Sequence, residues 1–123
     1  MLVVDDDGDA LNMAKDALSI AGATVVTASS GVEALAALDR ETFDAAILDI
    51  GLPEMDGYEL LRAIRARPKH RQGSIPAAAL TAYARVADRT RSLQAGFQMH
   101  MSKPVQPSEL AAAVVALAGP ADE

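Results

Sequence analysis

Short apolar runs of strand length alternate with stretches of helical period from one end of this chain to the other, and few folds admit that alternation. It is the pattern of βαβ units, in which crossover helices join parallel strands. The runs predict strands near residues 2–5, 24–28, 44–49, 76–80 and 98–102. The segments between and after them predict helices near 9–21, 31–40, 57–66, 85–95 and 107–118. In the first helix Leu11, Ala14, Leu18 and Ala21 recur at helical spacing, while Asn12, Lys15, Asp16 and Ser19 supply the wet side. Gly22 follows as a helix-ending glycine. Ser30 with Glu33 is a capping signal for the second helix, and Pro107-Ser108-Glu109 opens the last. Right-handed crossovers then give a doubly wound α/β fold with five parallel strands and helices on both faces.

A length of 123 residues fits a single domain over residues 1–123 with one core. Half of the residues are apolar but only 3% are aromatic, so Ala, Val, Leu, Ile and Met must fill that core. This composition suits thin, Ala-rich helices lying close against a sheet. The absence of cysteine excludes a disulfide framework and a thiolate metal site. A net charge of −6 opposes direct nucleic-acid binding and attachment to an anionic membrane. No apolar stretch reaches membrane-spanning length, and no signal peptide precedes the first strand, which together predict a cytoplasmic protein. Because the first residues already lie in a strand pattern, the chain reads as a domain starting abruptly within something longer. The segment from Arg65 to Ser74 reads as a solvated basic loop, with a docking patch for an acidic partner as the functional alternative.

Four of the apolar runs end in reactive side chains: Asp5 and Asp6, then Asp49, Thr81, and finally Ser102 with Lys103. In an open parallel sheet these tips converge at the carboxyl edge, where such sheets place their sites. Carboxylates as close as Asp5, Asp6 and Asp7 raise one another's pKa unless a cation neutralises them. Mg²⁺ suits this all-oxygen set better than a transition metal. Asp5 and Asp6, at the strand tip, are the expected metal ligands, whereas Asp7 or Asp9 is expected to cap the first helix. Asp49 ends the most apolar strand and can serve as metal ligand, base or nucleophile. Lys103 can offset charge developing on a transferring phosphoryl group, and Thr81 can donate its hydroxyl to one of its oxygens. Pro104 after Lys103 raises the prospect of a cis bond aiming the lysine.

Over essentially its whole length the chain resembles the receiver domains of bacterial two-component response regulators. The matching stretches are Leu2-Val3-Val4-Asp5-Asp6-Asp7, Ile47 to Gly57 around Asp49, Ala79-Leu80-Thr81-Ala82, and Ser102-Lys103-Pro104, in receiver order and spacing. The resemblance implies a flavodoxin-like sheet of order 2-1-3-4-5 with five helices. It implies that Asp49 is the phosphoacceptor, charged by a sensor histidine kinase or a histidine phosphotransfer protein. It also implies that Asp5, Asp6, Asp49 and the backbone carbonyl of Gly51 hold Mg²⁺, for which Mn²⁺ can substitute. Thr81 and Lys103 match the switch hydroxyl and the phosphate-contacting lysine, and Ala82 leaves space beside the phosphoryl group. A signalling role without turnover follows, in which phosphorylation shifts the face made by the fourth helix, fifth strand and fifth helix and permits a homodimer. The segment Ala95 to His100 is most similar to the receivers of hybrid histidine kinases.

Three positions depart from the common receiver pattern. His100 stands where the family usually has Tyr or Phe as partner of the threonine. An imidazole there weakens the switch or makes it pH-sensitive, with a purely structural role as the alternative. Gly51 and Tyr83 occupy positions that tune phosphoryl lifetime, and a glycine with a covering tyrosine predicts a long-lived phosphoryl state. Two other classes share parts of this acidic pattern. Asp5-Asp6-Asp7-Gly8 resembles the nucleophile motif of haloacid-dehalogenase-type phosphatases, but no later acidic pair and no cap domain accompany it. An EF-hand is excluded because Gly8 comes two positions too early. A pseudo-receiver that binds without accepting phosphate is the remaining alternative.

Overall fold

A computed structural model describes residues 1–82 and 86–118. The order of elements is β1 (Leu2–Val4), α1 (Gly8–Ile20), β2 (Val26–Ala28), α2 (Gly31–Arg40), β3 (Ala46–Asp49) and α3 (Gly57–Arg65). A single 3-10 turn at Lys69–Arg71 follows, then β4 (Ala77–Thr81), α4 (Val86–Ala95), β5 (Met99–Ser102) and α5 (Pro107–Ala118). The strands form one parallel sheet in the order β2-β1-β3-β4-β5. Each predicted element is present. The strands β2 and β3 begin two residues later than the apolar pattern does, and β4 carries Thr81 inside the ladder, opposite Ser102.

Side chains alternate between the two faces of the sheet, as strand geometry requires. Val3, Ile47, Leu80 and Met101 pack against Leu11, Leu18 and Leu110 of α1 and α5. Leu2, Val4, Leu48 and Ala79 pack against Leu38, Leu61 and Phe97 on the side of α2 and α3. The scarcity of aromatics is met partly by the sheet itself, because β4 opens with three fully buried alanines, Ala77 to Ala79. Alanine is a poor strand former. Here it lets helices approach both faces, and their Leu and Ile side chains fill the space it leaves.

Caps hold the helices at the functional end. Asp7 caps α1, accepting from the amides of Asp9 and Ala10 at 3.0 and 3.4 Å. Ser30 caps α2 by accepting from Glu33 N, and Glu33 reaches back one residue further than a simple capping box, to the amide and hydroxyl of Ser29. Asp56 caps α3 through Glu59 N. The helix α1 ends as Gly22 predicts: its φ is +96°, and the amides of Gly22 and Ala23 bond Ser19 and Leu18 carbonyls in a Schellman arrangement.

The basic stretch after α3 is more structural than its charge suggested. The guanidinium of Arg65 donates to the carbonyls of Gly73 and Gly96, and Arg67 pairs with Asp39 at 2.7 Å. Gln72, at a left-handed φ of +67°, accepts from Phe43 N and donates to the carbonyls of Leu38 and Glu41. These bonds tie the segment to α2, the loop before β3 and the end of α4. Among the described residues, no helix is long and apolar enough to cross a membrane.

Candidate functional site

The carboxyl ends of β1, β3, β4 and β5 bring Asp5, Asp49, Thr81 and Lys103 to one edge of the sheet, as their strand endings predicted. Asp5 keeps a ladder bond to the carbonyl of Ala28 just beyond β1, and Asp49 is the last residue of β3. Both are buried, 2% and 4% exposed, whereas Asp6 is exposed beside them. Carboxylate oxygens of Asp5, Asp6 and Asp49 all lie within 4.8 Å of one another. Asp7 stands apart as the cap of α1, and Asp9 lies exposed in its first turn.

Two of these carboxylates are held in the same way. Oδ1 of Asp5 accepts from Asp7 N at 3.0 Å, and Oδ1 of Asp49 accepts from Gly51 N at 3.0 Å. Their Oδ2 atoms both face Lys103, whose Nζ lies 3.0 Å from each. A cis peptide bond joins the lysine to Pro104 after it, and the lysine's own amide donates to the carbonyl of Thr81 at 2.8 Å. A backbone amide on one oxygen and the Lys103 ammonium on the other therefore orient each carboxylate.

Burial pushes the pKa of Asp49 above the ordinary carboxylate value, and the Asp5 charge adds to that. The Gly51 amide and Lys103 oppose the rise without cancelling it. For Lys103, burial works against the charge, but bonds and attraction to Asp5 and Asp49 outweigh it and raise its pKa. Three carboxylates against one ammonium leave an excess of negative charge on oxygen donors alone. That donor set fits a hard divalent cation such as Mg²⁺.

Thr81 is buried and Ala82 beside it is exposed, leaving room at the rim. His100 is partly buried on β5, paired with Ala79. Strand alternation puts it on the face opposite Met99 and Met101, toward α3 and α4. Tyr83 lies outside the described residues. A groove of about 450 Å³ opens next to the carboxylates, bordered by Met13 of α1, Val105 and Leu110.

Gly57, the first residue of α3, lies against the acceptor strand. A Cβ built there would stand 2.6 Å from the carbonyl oxygen of Asp49 and 2.8 Å from Cα of Ile50. The start of α3 thus rests directly on the backbone that carries Asp49. The Asp56-Gly57-Tyr58-Glu59 run, a cap with an acidic residue three positions on, was the available signal for that helix start.

A family model for the response regulator receiver domain matches residues 1–115. An uncharacterized 14.6 kDa protein of Leptolyngbya boryana is 44% identical over 110 residues, which cover 89% of this chain and 82% of that protein. The transcriptional regulatory protein PrrA of Mycobacterium tuberculosis is 38% identical, with 95% of this chain and 48% of PrrA covered. The sensor protein GacS of Pseudomonas syringae is 36% identical, with 100% of this chain but 14% of GacS covered. The chain therefore spans less than half of either of these two longer relatives.

Among solved structures, the chemotaxis protein CheY4 of Vibrio cholerae superposes with a TM-score of 0.86 at 29% identity, covering 94% of this chain and 95% of that one. The receiver domain of the sensor histidine kinase PA1611 of Pseudomonas aeruginosa PAO1, which has a magnesium ion coordinated in its active site cleft, gives 0.84 at 32% identity over 97% and 96%. Strand order, acidic cluster and matched length agree, and the chain belongs to the response regulator receiver domain family of two-component signalling.

Proposed function

We propose that residues 1–123 form one receiver domain in which Asp49 accepts a phosphoryl group from a phosphohistidine on a sensor histidine kinase or a histidine phosphotransfer protein. One carboxylate oxygen of Asp49 attacks phosphorus in line. The phosphorus–nitrogen bond breaks, the imidazole leaves with the electron pair, and an acyl phosphate forms. The observation that carries this reading is the shared ammonium: Lys103 Nζ is 3.0 Å from both Asp5 and Asp49, beside a third carboxylate. A buried nucleophile is thereby oriented next to a fixed positive charge.

Asp5, Asp6, Asp49 and the carbonyl of Gly51 would hold Mg²⁺, or Mn²⁺ in its place. Bound there, the ion neutralises charge on the phosphoryl oxygens. Lys103 holds a phosphoryl oxygen, Thr81 moves its hydroxyl toward the new dianion, and exposed Ala82 leaves it room. That movement shifts the face made by α4, β5 and α5. His100, facing α4, replaces the usual aromatic partner of the threonine. The groove beside α1 supports approach of the phosphohistidine-bearing partner, and homodimerisation through α4 and α5 belongs to the phosphorylated form. The domain works in the cytoplasm as a signalling element without turnover of its own.

Mass spectrometry after incubation with acetyl phosphate and Mg²⁺ tests this. The expected result is a gain of one phosphoryl group that is lost in Asp49→Asn. No gain in the wild-type protein would favour the pseudo-receiver.

A further inference from the structure

The hydrogen bonds and ring contacts around α3 form a path from Asp49 to α4 that uses neither Thr81 nor His100. It begins where Gly57 N donates to the carbonyl of Ile50 and where the bare Cα of Gly57 sits against the carbonyl of Asp49. The next residue, Tyr58, is 8% exposed and turns to α4. Its hydroxyl is 3.4 Å from Oγ of the fully buried Ser92, and the Arg91 guanidinium lies 4.1 Å above its ring. Phe97, just past α4, meets the same ring edge-on at 6.2 Å.

Two further residues of α3 extend this contact. Leu61 and Arg65 follow Tyr58 by three and seven positions and so share its helical face. Leu61 lies against Gly96, at the end of α4, and Arg65 donates to the Gly96 carbonyl at 3.2 Å. One face of α3 therefore grips α4 along its second half, while the first turn of α3 rests on the acceptor strand. A contact that is polar, aromatic and cationic at once is directional: sliding or rotating α4 cannot preserve all of its parts.

We infer that Tyr58 is a positioning residue that couples the state of Asp49 to the placement of α4, with Arg91 and Ser92 as its readers. This rests on the acceptor reading above and adds a second route to it. Phosphoryl transfer to Asp49 loads the β3–α3 junction. Through Gly57 the first turn of α3 shifts, and Tyr58 passes the shift to Arg91 and Ser92. A cation over an aromatic face is replaceable by another cation but not by a neutral amide. That difference separates a coupling role from simple packing.

The test uses the full chain and the variants Tyr58→Phe, Arg91→Gln and Arg91→Lys, each with and without acetyl phosphate and Mg²⁺. Intact mass reads phosphoryl uptake, hydrogen exchange of the peptide spanning 86–95 reads α4, and urea denaturation reads global stability. Arg91 is exposed, so its variants keep the fold. The expected result is wild-type phosphoryl uptake in all four proteins. The phosphorylation-dependent change in α4 exchange falls at least twofold in Tyr58→Phe and Arg91→Gln and is kept in Arg91→Lys. An equal exchange response in wild type and Arg91→Gln, at equal uptake, overturns the inference. No mass gain in the wild type overturns the acceptor reading, and this inference with it.

Discussion

Nζ of Lys103 lies 3.0 Å from Oδ2 of Asp49, across 54 residues of sequence, and the same ammonium is bonded equally closely to Asp5. Without it two buried carboxylates would face each other. Lys103→Met is therefore expected to lower stability in metal-free buffer by about 1–2 kcal/mol, a figure reduced because the ammonium is partly in solvent. It should also slow phosphoryl uptake at least tenfold, by on the order of 1.4 kcal/mol in the barrier. Urea denaturation and time-resolved intact mass measure the two effects. Unchanged uptake would remove Lys103 from the proposed chemistry.

Asp49 carries a stability cost that its proposed role explains. Its pKa is raised above the ordinary value of 3.8, chiefly by burial, so its charged form is disfavoured in the folded state. The contribution is favourable below the unfolded pKa and is lost as pH rises through the folded one. In metal-free buffer Asp49→Asn should match the wild type near pH 3. It should exceed the wild type at neutral pH, where the charged form of Asp49 is disfavoured by burial. Mg²⁺ should narrow the gap, since binding to the native state stabilises the wild type more. Melting temperatures across pH, with and without Mg²⁺, test this; a wild type more stable than the variant at neutral pH without metal contradicts it.

Space, not backbone conformation, explains Gly57. A methyl group there meets the Asp49 carbonyl and Ile50 Cα well inside contact distance, and both are backbone. Gly57→Ala should cost about 1–3 kcal/mol, the usual range for overpacking. It should also slow phosphoryl uptake, because the strain falls on the residue that carries the acceptor. Denaturation together with uptake kinetics checks it, and a variant of wild-type stability would show that α3 can lift away freely.

Gln72 and the Arg67–Asp39 pair cross the same region with different energetic weight. Gln72 satisfies three backbone groups, on Phe43, Leu38 and Glu41. Its loss should cost about 1–3 kcal/mol, because backbone groups lose their partners. The side chain of Asp39 is 54% exposed, so Asp39→Asn should cost less than about 1 kcal/mol. Parallel urea titrations of Gln72→Ala and Asp39→Asn test the order.

The difference between these residues and the carboxylate cluster marks what was readable from sequence. Asp5, Asp49, Thr81 and Lys103 each follow an apolar strand, and a parallel sheet must bring such endings to one edge. Strand order had no such local signal and came from the resemblance. Arg65, Gln72 and the Tyr58–Arg91 contact were not legible, because each joins a side chain to a group chosen by the packing of a distant element. The basic stretch from Arg65 to Ser74 looked like solvated charge for that reason. The apolar pattern runs ahead of β2 and β3 because Val25 and Ala45 already pack against the core just before the paired residues.

Gly51 offers a test of phosphoryl lifetime that leaves the fold alone. A Cβ at this position would meet only Oδ1 of Asp49, at an ordinary 3.7 Å, so a side chain fits and reaches the acceptor. With glycine, no group from residue 51 can orient a water for attack on the acyl phosphate, and the phosphoryl state should be long-lived. Gly51→Asn places an amide beside that carboxylate. It should leave stability within about 0.5 kcal/mol, as surface substitutions usually do, and shorten the lifetime several-fold. Decay of the phosphorylated mass after removal of acetyl phosphate, in Mg²⁺, measures it. A wild type that loses its phosphoryl group as fast as Gly51→Asn would show that residue 51 does not govern the lifetime.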